Sequence, residues 1–152
     1  MTSGPALVAY IDGGSRGNPG PAGYGVRIEA PDGTVCAELK GSLGETTNNV
    51  AEYRGLIAAL THLVQTGARR VTVRSDSLLL VRQMRGEYRV RHPALQQLNG
   101  EARALAARFD QVHFEHVPRA LNTAADRLAN LAMDEMDEDE DEGRDDTSDT
   151  PT

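Results

Sequence analysis

Residues 6–30 read ALVAYIDGGSRGNPGPAGYGVRIEA. A largely apolar run reaches an aspartate, Asp12, and the next eleven residues contain five glycines before a second strand-like run begins. A carboxylate closing a buried strand is partly desolvated, and a lone desolvated carboxylate is costly unless it is paired or bound to a metal. Arg16 is the one basic residue near it in sequence. The stretch is therefore either a plain hairpin or a place where backbone approaches something closely, which glycine permits.

The rest of the chain supplies the frame. Residues 6–12 read as one strand and residues 23–30 as a second, with Tyr24, Val26 and Ile28 on one face. PDGT at 31–34 is a turn, and VCAELKGSL follows as a third strand, completing an antiparallel meander. The period then changes. In NNVAEYRGLIAALTHLVQTG, Leu56, Leu60, Leu63 and Val64 form a helical stripe, and Gly67 is a natural stop. RRVTVRSD is a strand and SLLLVRQM a short helix. HPALQQLNGEARALAARF is a helix with Pro93 in its first turn. QVHFEHV is a fifth strand, and NTAADRLANLAM is a last helix capped by Asn122 or Thr123. The order βββαβααβα implies an α/β protein with a mixed sheet and helices on its faces.

The totals suit one domain of 152 residues. A single cysteine, Cys36, excludes an internal disulfide framework and fits a reducing compartment. No signal-peptide pattern opens the chain and no apolar run approaches a membrane span, so a cytoplasmic protein without membrane contact is expected. The net charge of -7 hides an asymmetry. Residues 134–152 hold eleven acids and one arginine, whereas residues 1–133 hold twelve acids and fifteen Lys and Arg. A mildly basic domain, 1–133, is thus expected to carry an acidic disordered tail, 134–152.

Four acids stand at the ends of regular elements, where an open α/β sheet places its ligands. They are Asp12, Glu52, Asp76 and Asp126. Each has a local alternative. Asn49 and Glu52 are spaced as a capping box, and so are Thr123 and Asp126. Asp76 is placed to cap the helix that follows it. Gathered at one sheet end, however, four carboxylates repel one another unless cations lie between them. Hard cations with oxygen ligands, Mg²⁺ or Mn²⁺, are the natural answer, and two of them form a clamp for displacement at phosphorus. Other chemistries find no support: the glycine loop lacks the GK[ST] of a Walker loop and runs into a strand, unlike a dinucleotide fingerprint.

Four blocks together, YIDGGSRGNPGPAGYG, TTNNVAEYRGLIAAL, VRSDSLLLVRQMRGEY and HVPRALNTAADRLANLA, resemble type 1 ribonuclease H in order and spacing over residues 5–133. The resemblance implies the ribonuclease H fold, a five-stranded mixed sheet whose first three strands are antiparallel. It implies a metal-dependent endonuclease that cleaves the RNA strand of an RNA/DNA hybrid, leaving 5′-phosphate and 3′-hydroxyl ends. By position, Asp12, Glu52, Asp76 and Asp126 correspond to the family's metal-binding carboxylates, with Asp12 shared by two ions. Gly13, Asn18 and Asn48 fall where the family meets the RNA strand, and Thr47 where it holds a DNA phosphate. A 2′-hydroxyl is the group that tells RNA from DNA.

The chain departs from the family pattern twice. Before the last helix, where many members carry a histidine on a mobile loop, the short PRALNTAA has Arg119, which is expected to assist product release or protonation. The basic insertion many members carry after the second helix is missing, leaving Arg85, Arg89 and Arg91 as a smaller basic edge. Weaker, steeply salt-dependent hybrid binding follows. The acidic tail would compete with nucleic acid for the basic body, so removing it should tighten binding. Two rivals share the fold: a DNA resolvase or transposase core, and a non-catalytic hybrid-binding module. A monomer is expected.

Overall fold

A computed structural model describes residues 6–149, with side chains through Met136. The strands are β1 Ala6–Ser15, β2 Gly20–Glu29, β3 Val35–Thr46, β4 Arg70–Ser75 and β5 Gln111–His116. The helices are α1 Asn48–Gln65, α2 Leu78–Met84, α3 Pro93–Ala106 and α4 Thr123–Asp149, with a 3₁₀ turn at Arg119–Leu121. The order is the one expected from the sequence. The sheet runs β3-β2-β1-β4-β5. β1, β2 and β3 pair antiparallel, whereas β4 runs parallel to both β1 and β5.

Side-chain alternation along β2 divides the two faces. Tyr24 lies against Gly55 of α1, whereas Gly23 and Gly25 face Ala129, Ala132 and Leu128 of α4. The α1 face holds the larger core, built from Val26, Ile28, Leu56, Leu60, Leu63, Val71 and Val73 with α3 behind. Each fully buried Leu or Ile there contributes roughly 1.5–3 kcal/mol. The α4 face is thinner, because glycines on the sheet meet Ala125, Ala129 and Ala132 on the helix.

The first hairpin is longer than the sequence suggests. β1 does not end at Asp12, and β2 begins at Gly20 rather than residue 23. Pairing continues to Ser15↔Ala22, and the Arg16 amide donates to Pro21 at 2.8 Å. Glycine adopts the extended conformation as readily as any other, so a glycine-rich loop reading gave way to ladder hydrogen bonds.

Residues 134–149, expected from composition to be disordered, continue α4. Nothing between Met133 and Glu142 breaks a helix, and extending one already docked on the sheet needs no new nucleus. Residues 150–152 of the expected tail lie outside the described residues.

Candidate active site

Strand register brings the first two acids together. Parallel pairing of β1 with β4 ends at Ile11↔Ser75. The next residues along are Asp12 and Asp76, side by side where the sheet splays. None of the three capping readings of Glu52, Asp76 and Asp126 holds. The N-cap of α1 is Thr47, whose Oγ1 accepts from the Val50 amide at 3.3 Å. The helix thus starts two residues before the position a cap at Asn49 requires, and Glu52 lies beyond the capping-box position. The N-cap of α2 is Ser77, whose Oγ accepts from the Leu80 amide at 3.2 Å, so Asp76 caps nothing. Asp126 lies one turn into α4, past the capping-box position counted from Asn122, and its amide donates to the Asn122 carbonyl at 3.1 Å.

All four carboxylates line one open cleft of about 650 Å³. Gly13, Asn48 and Arg119 line it too, with Arg16, Ser77 and His116. Asn18 and Thr47 are not among its lining residues. Asn18 Oδ1 accepts from the Asn48 amide at 3.1 Å, and Asn48 Oδ1 accepts from the Ser15 amide at 2.8 Å. The two asparagines fasten the β1–β2 hairpin to the start of α1. Gly13 faces α1: a Cβ there would stand 2.4 Å from the Ala51 carbonyl carbon. The approach of the helix by itself requires that glycine.

Sequence reasoning missed two residues. Ser77 caps α2 and lines the cleft, where its hydroxyl favours the ionised form of Glu52. His116, the last residue of β5, places Nε2 3.3 Å from the Asp76 carbonyl oxygen. Its neighbour β4 runs parallel, so the pairing Ser75↔His116 carries it to the same sheet end. The sequence places His116 on a strand, which β5 bears out, but not beside Asp76.

The electrostatics are those of acids held apart from water. Asp12 is pushed up to about 8, first by burial, then by the charge of Asp76 and by its hydrogen bond with Asp126. Glu52 is pushed up to about 7, first by burial, with Asp76 adding to it and the Ser77 hydroxyl opposing. Arg119 Nη2 stands 3.8 Å from Asp126 Oδ1, but its side chain is 82% exposed and offsets little of this charge. Among the described residues, no three acids or histidines stand together as a ready-made metal cage. Asp12 instead stands close enough to Asp76 and Asp126 for both to raise its pKa. The donor set nonetheless fits a divalent cation: hard oxygen ligands, like charges facing one cleft, and carboxylates whose ionisation is unfavourable until positive charge arrives.

A pH dependence follows. A raised carboxylate pKa stabilises the fold below the ordinary range near 4, and that stability is lost as pH climbs through the folded values. Metal-free protein in chelator should therefore melt lower at pH 9 than at pH 6, by roughly 4 °C for each pKa unit of about 1.4 kcal/mol. Asp12→Asn should flatten most of that slope in circular-dichroism melts. An unchanged slope would remove Asp12 as its source.

Fold and site together define an α/β domain with an acidic, cation-demanding cleft at the parallel edge of its sheet. The family model described as reverse transcriptase-like matches residues 10–132. A bifunctional protein of Mycobacterium tuberculosis is 56% identical over 129 residues, 84% of this chain and 35% of that one. The N-terminal RNase H domain of that protein, solved as a fusion with maltose-binding protein, superposes with a TM-score of 0.86 at 53% identity, covering 89% of this chain and 98% of the other. The ribonuclease HI of Halobacterium salinarum is 43% identical over 132 residues, 87% of this chain and 66% of that one. LC11-RNase H1, solved in complex with an RNA/DNA hybrid, gives a TM-score of 0.82 at 43% identity, covering 86% of this chain and 98% of the other. The chain belongs to the ribonuclease H family. It spans about a third of the length of the mycobacterial relatives.

Proposed function

We propose that this chain hydrolyses the RNA strand of RNA/DNA hybrids, leaving 5′-phosphate and 3′-hydroxyl ends. The observation that carries this reading is the convergence of Asp12, Glu52, Asp76 and Asp126, from four separate elements, on one cleft. Family membership and a hybrid-bound relative support it. The reaction joins a water oxygen to phosphorus and breaks the bond to the 3′ oxygen, which leaves as a hydroxyl after taking a proton.

Asp12, Glu52, Asp76 and Asp126 would hold two Mg²⁺ or Mn²⁺ ions. When bound, such ions lower the pKa of water and stabilise the leaving oxygen. The chain's own contributions are orientation and charge. The Ser77 hydroxyl favours the ionised Glu52 carboxylate, and the asparagine pair fixes the hairpin beside the cleft. Without added positive charge, the acid cluster repels a phosphodiester. Arg119 acts by charge rather than by proton transfer, since a guanidinium does not release its proton near neutral pH. Its exposure lets it follow a departing phosphate.

The test uses a labelled hybrid beside matched RNA/RNA and DNA/DNA duplexes, in Mg²⁺ and then Mn²⁺. Cleavage of the hybrid's RNA strand alone supports the proposal. DNA cleavage would favour the resolvase-like rival, and binding without cleavage the non-catalytic module.

Substrate grip is expected to be modest and tunable. Arg85 is already engaged, its Nε donating to the Phe114 carbonyl at 2.8 Å, and Arg85, Arg89 and Arg91 are all exposed. Arg16, at the cleft, pairs with Asp134 of α4 at 2.7 Å, and Lys40 pairs with Glu135. Replacing Asp134 with Asn and Glu135 with Gln should tighten hybrid binding about two- to fivefold at low salt, the scale of exposed ion pairs. The gain should fade by about 0.5 M salt, where the screening length is only a few ångströms. Equal affinities at low salt would discard the competition.

A further inference from the structure

Asn122 breaks a local rule at the point where three site elements meet. It precedes the first residue of α4 and is 1% exposed. Asparagine in that position ordinarily caps the helix, its side-chain oxygen accepting an amide of the first turn. Here the side chain does not cap. Nδ2 donates to the carbonyl of Ile11 at 2.8 Å, and Oδ1 is left buried without a partner. The orientation is fixed by chemistry, because a backbone carbonyl can only accept. Local stability is given up twice: the cap is forgone, and a buried carbonyl is left unsatisfied.

The bond made in exchange reaches the residue before Asp12. The backbone of Asn122 reaches the rest of the site. Its amide donates to the Arg119 carbonyl at 3.0 Å, and its carbonyl accepts from the Asp126 amide at 3.1 Å. One residue thus ties β1 at Asp12 to the start of α4 at Asp126 and to the turn bearing Arg119. Conflicts between local preference and global structure gather where function demands a geometry.

We infer that Asn122 is a positioning residue, whose side-chain amide clamps α4 to β1 and holds Asp126 against Asp12. The inference rests on the hydrolytic reading above. Asn122 touches no substrate; it acts through the two carboxylates.

The test compares the full chain with Asn122→Ser, which can still cap α4 but cannot span to Ile11. The metal-free melting temperature is expected to stay within about 3 °C, the restored cap offsetting the lost bond. On a labelled hybrid, kcat is expected to fall roughly 10–100-fold with KM within about twofold, the signature of misplaced groups rather than lost binding. The rise in melting temperature produced by Mn²⁺ should shrink as well. In an Asp126→Asn background the same substitution should take nothing further from that rise, because the effect runs through Asp126. Unchanged kcat, or losses that simply add, would overturn the inference. Should the serine variant not fold, Asn122→Thr, a larger capping residue, takes its place. Failure of both to fold would make Asn122 merely structural and overturn it too. If the wild-type chain cleaves no hybrid, the functional reading fails, while the Mn²⁺ melting cycle still decides the clamp.

Discussion

Asp12→Asn is expected to reduce cleavage of the RNA strand at least ~10³-fold in either Mg²⁺ or Mn²⁺, about 4 kcal/mol of barrier at 1.36 kcal/mol per tenfold. Asp12 is singled out because it interacts with both neighbours, Asp76 through charge and Asp126 through a hydrogen bond and charge. The substitution keeps the size of the side chain and removes the charge on which the others converge. It should leave the fold intact and make metal-free protein more stable at pH 8, because a buried like-charge contact disappears. Hybrid binding without metal should be retained, since one negative charge is withdrawn from the path of a phosphodiester. Activity, a chelator melt and a binding isotherm separate these effects. A variant that cleaves at the wild-type rate would sink the assignment of Asp12, whatever its stability.

The acids were legible because their positions depend on local pattern. Asp12 and Asp76 each follow a strand-like run, and the parallel ladder between those runs stops just before both acids, although β1 itself continues to Ser15. Their adjacency was not legible, since it comes from the register Ile11↔Ser75 between segments more than sixty residues apart. The same holds for His116, which reaches the cleft through Ser75↔His116. The sequence offers Asn122 only as an ordinary capping residue and gives the cap of α2 to Asp76 rather than to Ser77. Ser77 does cap and also favours ionised Glu52, while Asn122 does not cap at all. Glu52 shows how fine the margin is. The helix begins at Thr47 rather than Asn49, and that shift of two residues decides whether its carboxylate caps or faces the cleft.

Gly13→Ala is expected to lose roughly 3 kcal/mol or more through overpacking, about 10 °C in melting temperature. The added methyl would stand 2.4 Å from the Ala51 carbonyl carbon and oxygen and 2.6 Å from the Glu52 amide, all backbone atoms that no rotamer change can move. Relief requires α1 to back away from β1, and α1 carries Glu52. Activity should therefore fall with stability. Gly14→Ala is the control one residue on. Its methyl would meet nothing nearer than Asn48 Oδ1 at 3.8 Å, so the fold should melt within about 0.5 kcal/mol of the wild type. Gly14 lines the cleft, however, so any effect of that methyl should fall on KM for the hybrid rather than on stability. The pair separates two reasons for glycine that look identical in the sequence: room for a helix at Gly13, and room for a ligand at Gly14. If Gly13→Ala melts like the wild type, the close approach of α1 is not what the glycine serves. If Gly14→Ala alters neither melting nor KM, the ligand does not approach the backbone at that residue, and the contact surface lies nearer Asn48.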